Sequence, residues 1–235
     1  VKRLLISMKQ LRWEHGHRRG HISSKNLWKA RGPIYQDDVF KRRAQTLELD
    51  TAVCILTDNS GSMSGSKFAH AAKAGMMLNE AMSKVGVPVE LLSFSESGRG
   101  PINIIVKPFA ERSLGEDELL ERYAMCSNWM HQNSDGESIM WAAMRLARRA
   151  EKRKVLIVLS DGSPAAYNGD YGAEYVYTAE VIKEIEASRS MEIYGIGIMD
   201  DNVEKLYTEH KVLNHADDLE NMLLGLVKSK LLKAG

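Results

Sequence analysis

The sequence is short of cysteine, proline and long apolar runs, and each shortage closes off a class of protein. Two cysteines in 235 residues, Cys54 and Cys126, cannot build a disulfide framework. With no CxxC spacing they cannot supply a thiolate zinc site either. Cys54 lies inside an apolar run, where a small buried thiol is expected, and a reducing, cytoplasmic setting fits. No stretch approaches the roughly 20 apolar residues that a membrane-spanning helix needs. The opening Val1-Lys2-Arg3-Leu4-Leu5 is too short and too soon interrupted for a secretion signal, and a chain that opens on Val fits a piece of something longer. There is no internal repeat and no low-complexity tract. Nucleotide fingerprints are missing as well. Gly61-Ser62-Met63-Ser64-Gly65-Ser66-Lys67 has too few residues between its glycines for a P-loop, and no Lys directly follows the second one. Gly195-Ile196-Gly197 lies within a late strand pattern, where small residues permit close packing.

What is present is ordinary globular material, 44% hydrophobic and 27% charged, enough for one large domain or two small ones. The net charge of +1 hides an asymmetry: residues 1–50 carry 12 Lys and Arg against 5 Asp and Glu, and the remainder is acidic. Residues 1–47 show no sustained period and read as a basic N-terminal arm with a few anchors such as Trp28 and Phe40. Such an arm suits nucleic acid, an acidic partner, or the acidic body of its own domain. Within it, His15, His17 and His21 match no closed zinc spacing, so the stretch is either a solvated basic segment or a transition-metal site.

From residue 48 to 235 apolar strands alternate with helical patterns. Strands are expected at about 49–57, 87–94, 102–109, 155–159, 192–198 and 212–213, and helices at about 66–85, 116–123, 137–150, 174–188, 203–208 and 219–232. Gly86 stands where the first helix should stop. The strand at 102–109 suits a hairpin with the one before it. Val155-Leu156-Ile157-Val158-Leu159 is a continuous apolar run, the mark of a central parallel strand covered on both faces. The fold class is α/β: an open, doubly wound, mostly parallel sheet with helices on both faces.

In such sheets ligands bind beyond the carboxyl ends of the strands. Three loops are expected there. The first holds Asp58, Ser60 and Ser62 at alternate positions, which in an extended segment project to one side. The second holds Asn133 and Asp135, and the third Asp161. Together they offer oxygen ligands only, suited to a hard divalent cation: Mg²⁺, with Mn²⁺ or Ca²⁺ in its place. The plainer reading of the first loop is a polar turn in which Ser64 or Ser66 caps the following helix. A hydrolytic use of the cation lacks an obvious general base, His131 being the one candidate near these loops in the sequence.

Asp58-x-Ser60-x-Ser62 after a first strand, with the later Leu159-Ser160-Asp161-Gly162, resembles the von Willebrand factor A domain and its metal-ion-dependent adhesion site. That family usually places a Thr in the second loop, where this chain has Asn133-Ser134-Asp135-Gly136-Glu137, and either Asn133 or Asp135 stands in for it. The departure itself, with Asp58-Asn59-Ser60-Gly61-Ser62-Met63 and Trp141-Ala142, resembles the C-terminal region of the cobaltochelatase T subunit of aerobic cobalamin biosynthesis. Trp13-x-His15-Gly16-x-Arg18-Arg19-Gly20 and Val39-Phe40-Lys41-Arg42-Arg43 are similar to the segment just upstream in that subunit, so the resemblance covers nearly the whole chain. It implies a partner of the AAA+ ATPase class and a large chelatase subunit that inserts Co²⁺ into a corrin precursor. The bound Mg²⁺ would then dock a partner carboxylate, and the chain alone would have no catalytic residues and no membrane or nucleic-acid role. The alternatives are an adaptor of another AAA+ ATPase outside cobalamin synthesis, or a metal-dependent hydrolase.

Overall fold

The computed structural model describes residues 9–31, 38–47, 50–84, 86–112, 114–165, 170–214 and 218. The helix expected at 219–232 lies outside the described residues. The chain begins with a small antiparallel sheet that the sequence patterns do not announce. Strands β1 (Lys9–His17) and β2 (His21–Ile22) flank β3 (Phe40–Leu47), with a 3₁₀ segment at Ser24–Arg31 between β2 and β3. Strand periodicity shows in a sequence only when one face is apolar, and this ribbon is rich in Arg, Lys and His at successive positions. Gly16, at φ +90°, takes up the register shift between His15 and His17. His15 and His21 both stand opposite Lys41, on strands either side of it. Their Cα atoms are thus two strand spacings apart, about 10 Å. The His15 Nδ1 hydrogen bonds with Ser23 Oγ at 2.5 Å. Among the described residues, His15, His17 and His21 do not gather into a metal-binding group.

The main sheet has six strands in the order β6-β5-β4-β7-β8-β9. They are β4 (Thr51–Asp58), β5 (Val89–Ser97), β6 (Gly100–Lys107), β7 (Arg153–Ser160), β8 (Glu192–Ile198) and β9 (His210–Leu213). All neighbours are parallel except the β5–β6 hairpin, which fixes the partner of the strand expected at 102–109. Every residue of β4 is buried. Its alternate residues divide between two cores. Val53 and Ile55 join the core under α1 (Ser66–Ser83) and α2 (Glu116–Cys126), with Phe68, Leu78 and Tyr123. Ala52, Cys54 and Leu56 join the core under α3 (Asp135–Ala147) and α4 (Tyr171–Ser188), with Ile139, Leu146 and Ile182. A sheet with a core on each face is the doubly wound architecture. A short α5 (Val203–Leu206) completes the described helices.

Glycines set the close approaches. Gly86, at φ +84°, ends α1 as expected, and the Val87 N–H closes on the Met82 carbonyl at 3.1 Å. A Cβ at Gly195 would stand 2.4 Å from the Tyr207 ring, which is buried beneath β8. Gly195→Ala must therefore push that ring, and we expect it to cost about 1–3 kcal/mol of stability, as overpacking does. A urea unfolding midpoint equal to that of the unchanged protein would contradict this.

Candidate functional site

Side-chain parity on the sheet decides where Asp58 goes. Asp58 shares the face of Ala52, Cys54 and Leu56, so its carboxylate lies toward α3, whose first residue is Asp135. On β7 the same parity carries Leu156 and Val158 forward to Ser160, and the β4–β7 register places Ser160 beside Asp58. The Ser160 hydroxyl donates to Asp58 Oδ2 at 2.8 Å, and the Ser60 N–H donates to Asp58 Oδ1 at 2.8 Å. Both carboxylate oxygens are thereby held in a residue with no exposure at all.

Backbone pairing then draws the three loops together. The Gly61 N–H donates to the His131 carbonyl at 2.6 Å, and Ser60 forms a parallel bridge with His131. Two residues on, Asn133 forms an antiparallel bridge with Ala165. The second loop thus runs between the first and the third at the carboxyl edge of the sheet. The extended course expected through Asp58, Ser60 and Ser62 holds only as far as Ser60. Gly61–Met63 is a 3₁₀ turn, closed by Met63 N–H to the Ser60 carbonyl and Ser64 N–H to the Gly61 carbonyl. The turn still places the Ser60 and Ser62 hydroxyls 3.0 Å apart. Neither Ser64 nor Ser66 caps α1: its N-cap is Gly65, at φ +79°, with no side-chain hydrogen bond.

In the second loop Asn133 Nδ2 donates to Asp135 Oδ2 at 2.6 Å and to the Ser163 carbonyl at 3.1 Å. Asp135 is buried, and in the third loop so is Asp161. Lys67, from the first turn of α1, reaches Asp161 Oδ2 at 3.3 Å. Asp161 Oδ1 is buried and has no hydrogen-bond partner among the described residues.

These carboxylates feel one another. Burial first, and then the charge of Asp161, raise Asp58 from its ordinary 3.8 to about 7, against the pull of its Ser160 and Ser60 hydrogen bonds. Burial and the charges of Asp58, Glu174 and Asp161 push Asp135 up as well. A raised carboxylate makes the metal-free fold hold its proton more tightly than the unfolded chain does. For Asp58 that contribution to stability is complete below its ordinary value and is lost as pH rises through about 7.

All six residues singled out from the sequence therefore stand in this corner. Asp58, Asp135 and Asp161 are linked by electrostatics, Ser60 joins Asp58 to Ser62, and Asn133 holds Asp135. Among the described residues, no three His, Cys, Asp or Glu side chains make a metal-binding group by themselves. A cation here would draw on hydroxyl and water oxygens as well as carboxylates, and the donor chemistry suits a hard ion. Ser160 stands inside Leu159-Ser160-Asp161-Gly162 but is not among the six. Two further participants escape the motif. Lys67 is a cation at the helix end that disfavours one. Glu174, on α4, accepts from the Gly136 N–H at the start of α3, and nothing in its sequence setting marks it. His131 contributes its backbone to the first loop, and its side chain is exposed. Of the tyrosines near the third loop, Tyr175 and Tyr177 pack on the α3 side of the sheet, Tyr171 is exposed, and Tyr167 lies outside the described residues.

Similarity to known proteins agrees with this architecture. The chain is 26% identical over 212 residues to "Uncharacterized protein YojO" of Bacillus subtilis (strain 168), matching 83% of this chain and spanning 32% of that protein. Among solved structures, the PilB minor pilin from Streptococcus sanguinis superposes with a TM-score of 0.60 at 12% identity, over 79% of this chain and 62% of that one. The vWF domain of the type V pili tip protein Mfa5 from Porphyromonas gingivalis gives a TM-score of 0.55 at 13% identity, over 75% of this chain and 94% of that one. At such identities these two establish the fold. The sequence model for the cobalamin biosynthesis protein CobT VWA domain matches residues 39–103 and 121–231, most of the chain, and the chain belongs to that family.

Proposed function

We propose that this chain is a cation-dependent docking module for a chelatase-type assembly driven by a AAA+ ATPase. Asp58, Ser60, Ser62, Asn133, Asp135 and Asp161 would hold the ion, Mg²⁺ first and Mn²⁺ or Ca²⁺ in its place. A bound Mg²⁺ supplies an electrophilic centre that accepts a carboxylate from outside. The chain's own residues do the rest. Ser60 and Ser160 fix the Asp58 carboxylate, Asn133 fixes Asp135, and the neutral hydroxyls of Ser60 and Ser62 add oxygens without quenching the charge. The observation that carries this reading is the buried Asp161 Oδ1, which lacks a hydrogen-bond partner among the described residues and belongs to a carboxylate whose charge is felt by two further buried carboxylates, Asp58 and Asp135. Buried charge of one sign is costly unless something compensates it.

Membership of the family supports, as proposed partners, a AAA+ ATPase subunit and a large chelatase subunit acting in cobalt insertion into a corrin precursor, with a carboxylate of either reaching the ion. Two buried, unpaired cysteines fit a reducing cytoplasm. Pull-down of the candidate ATPase and chelatase subunits with and without EDTA tests the proposal. Capture in Mg²⁺ that disappears in EDTA and returns with added Mg²⁺ is expected. Capture indifferent to EDTA refutes the role of the ion. Recovery of a AAA+ ATPase without any chelatase subunit would move the reading to an adaptor outside cobalamin synthesis.

A further inference from the structure

Resting on the cation-site reading above, the geometry points to Lys67 as the site's internal counter-ion. We infer that its ammonium neutralises Asp161 when no divalent cation is bound, and must give up that carboxylate when one binds. Helix α1 offers no reason for a cation at this place. Its first turn has no acidic residue and its N-cap makes no side-chain bond, so the amide dipoles there are uncompensated. A Lys at that end is disfavoured by the helix itself. Asp161 supplies the reason. Its side chain is 3% exposed and that of Lys67 is 26% exposed, so the pair joins a buried acid to a base that keeps a way out to solvent. The tether is the flexible four-carbon stem of Lys, which releases its charge without moving the backbone. The bond is also loose, 3.3 Å to one oxygen only, while Asp161 Oδ1 stays without a hydrogen-bond partner among the described residues. A flexible univalent ammonium on one oxygen, with the other left open, is a placeholder that a divalent ion outcompetes.

The consequence is a trade. Lys67 lowers the cost of the empty site and weakens the affinity for the ion by the same interaction. Lys67→Met keeps the length and apolar body of the stem and removes the charge. In the metal-stripped protein the variant should melt at a lower temperature than the unchanged chain. In titration calorimetry it should bind Mg²⁺ about tenfold more tightly, the scale of a single loose ion pair that is partly screened by solvent. Opposite signs in the two measurements separate a counter-ion from a residue that merely packs, whose loss would weaken both. Lys73→Met removes an exposed charge about 9 Å further along the same helix and serves as the control for general field effects. Mg²⁺ affinity unchanged or weakened in Lys67→Met, or raised equally in Lys73→Met, overturns the inference while leaving the cation site standing. Absence of Mg²⁺ and Mn²⁺ binding in both the unchanged chain and Lys67→Met overturns the site and this inference together.

Discussion

Asp58→Asn should abolish the Mg²⁺-dependent rise in melting temperature and weaken Mg²⁺ binding by about 100-fold or more, while the metal-free protein stays folded and melts no lower. The two halves of that result have separate causes. Loss of a group that only orients a ligand costs roughly 10–100-fold in metal affinity, and Asp58 is placed to be a ligand itself, so its removal belongs at or beyond the top of that range. Asn occupies the same volume and keeps an oxygen to accept from the Ser60 N–H. Its amide nitrogen can donate to the Ser160 hydroxyl, which is free to rotate. The substitution also removes a charge that burial and Asp161 both penalise. The empty site should thus be relieved by the change that ruins the loaded one. Differential scanning fluorimetry at pH 7.5, with EDTA and with millimolar Mg²⁺, reads both effects. An undiminished Mg²⁺ response would remove Asp58 from the ligand set. A metal-free melting temperature well below that of the unchanged protein would mean that its two hydrogen bonds outweigh its charge.

The fold was legible because strands that are buried on both faces write themselves as unbroken apolar runs. Val155–Leu159 and Ala52–Leu56 announce central strands, and the elements between them must cross over as helices. The site was legible as far as it depended on that frame. Asp58 closes β4 and Asp161 stands just past β7, two strands that pair with each other, so their neighbourhood follows from the topology. The remainder depended on contacts that no local pattern encodes. Alternation in Asp58-x-Ser60-x-Ser62 suggests an extended chain, but the segment closes into a 3₁₀ turn at Gly61–Met63 while the Gly61 N–H pairs with the His131 carbonyl, and the two serine hydroxyls meet across that turn. Ser64 and Ser66 look like caps for α1 in the sequence, whereas Gly65 at positive φ lets the chain enter the helix without a side-chain cap. In the small N-terminal sheet the alternation of Leu11 and Trp13 is not sustained along the strands, so no period stands out.

The charge run Arg145–Lys154 makes the same point with larger energies. As a sequence it reads as a solvated face or a partner patch. In the structure Arg145 holds Glu90, Arg149 holds Glu151 and Arg153 holds Glu192, each through two guanidinium hydrogen bonds. The Arg145–Glu90 pair matters most, because Glu90 lies near the start of β5 and its side chain is 1% exposed. Arg145 donates to its two oxygens at 2.6 and 3.0 Å while stacking over Trp141. Burial first and then Glu90 push the Cys54 thiol up, and Glu111 and then Glu90 offset the burial that lowers the Lys107 ammonium, so the charge of Glu90 is felt through this part of the core. Arg145→Ala would leave that carboxylate buried, and the Lys107 ammonium, whose charge it also feels, already donates to the Val89 carbonyl at 2.7 Å.

Breaking a buried pair from one side costs about 3–5 kcal/mol, and the partial exposure of Arg145 places this case near 3. For a domain of this size that is a fall of roughly 10 °C in melting temperature. The double variant Glu90→Gln with Arg145→Met should recover most of the loss, because it removes the stranded charge and not only its partner. Urea unfolding of the two single variants and the double gives the coupling directly. Additive losses across that cycle would mean that the pair is packing with incidental charge. Recovery in the double variant, with Mg²⁺ binding unchanged, would make this ion pair a fixture of the scaffold, independent of the carboxylates at the other end of the sheet.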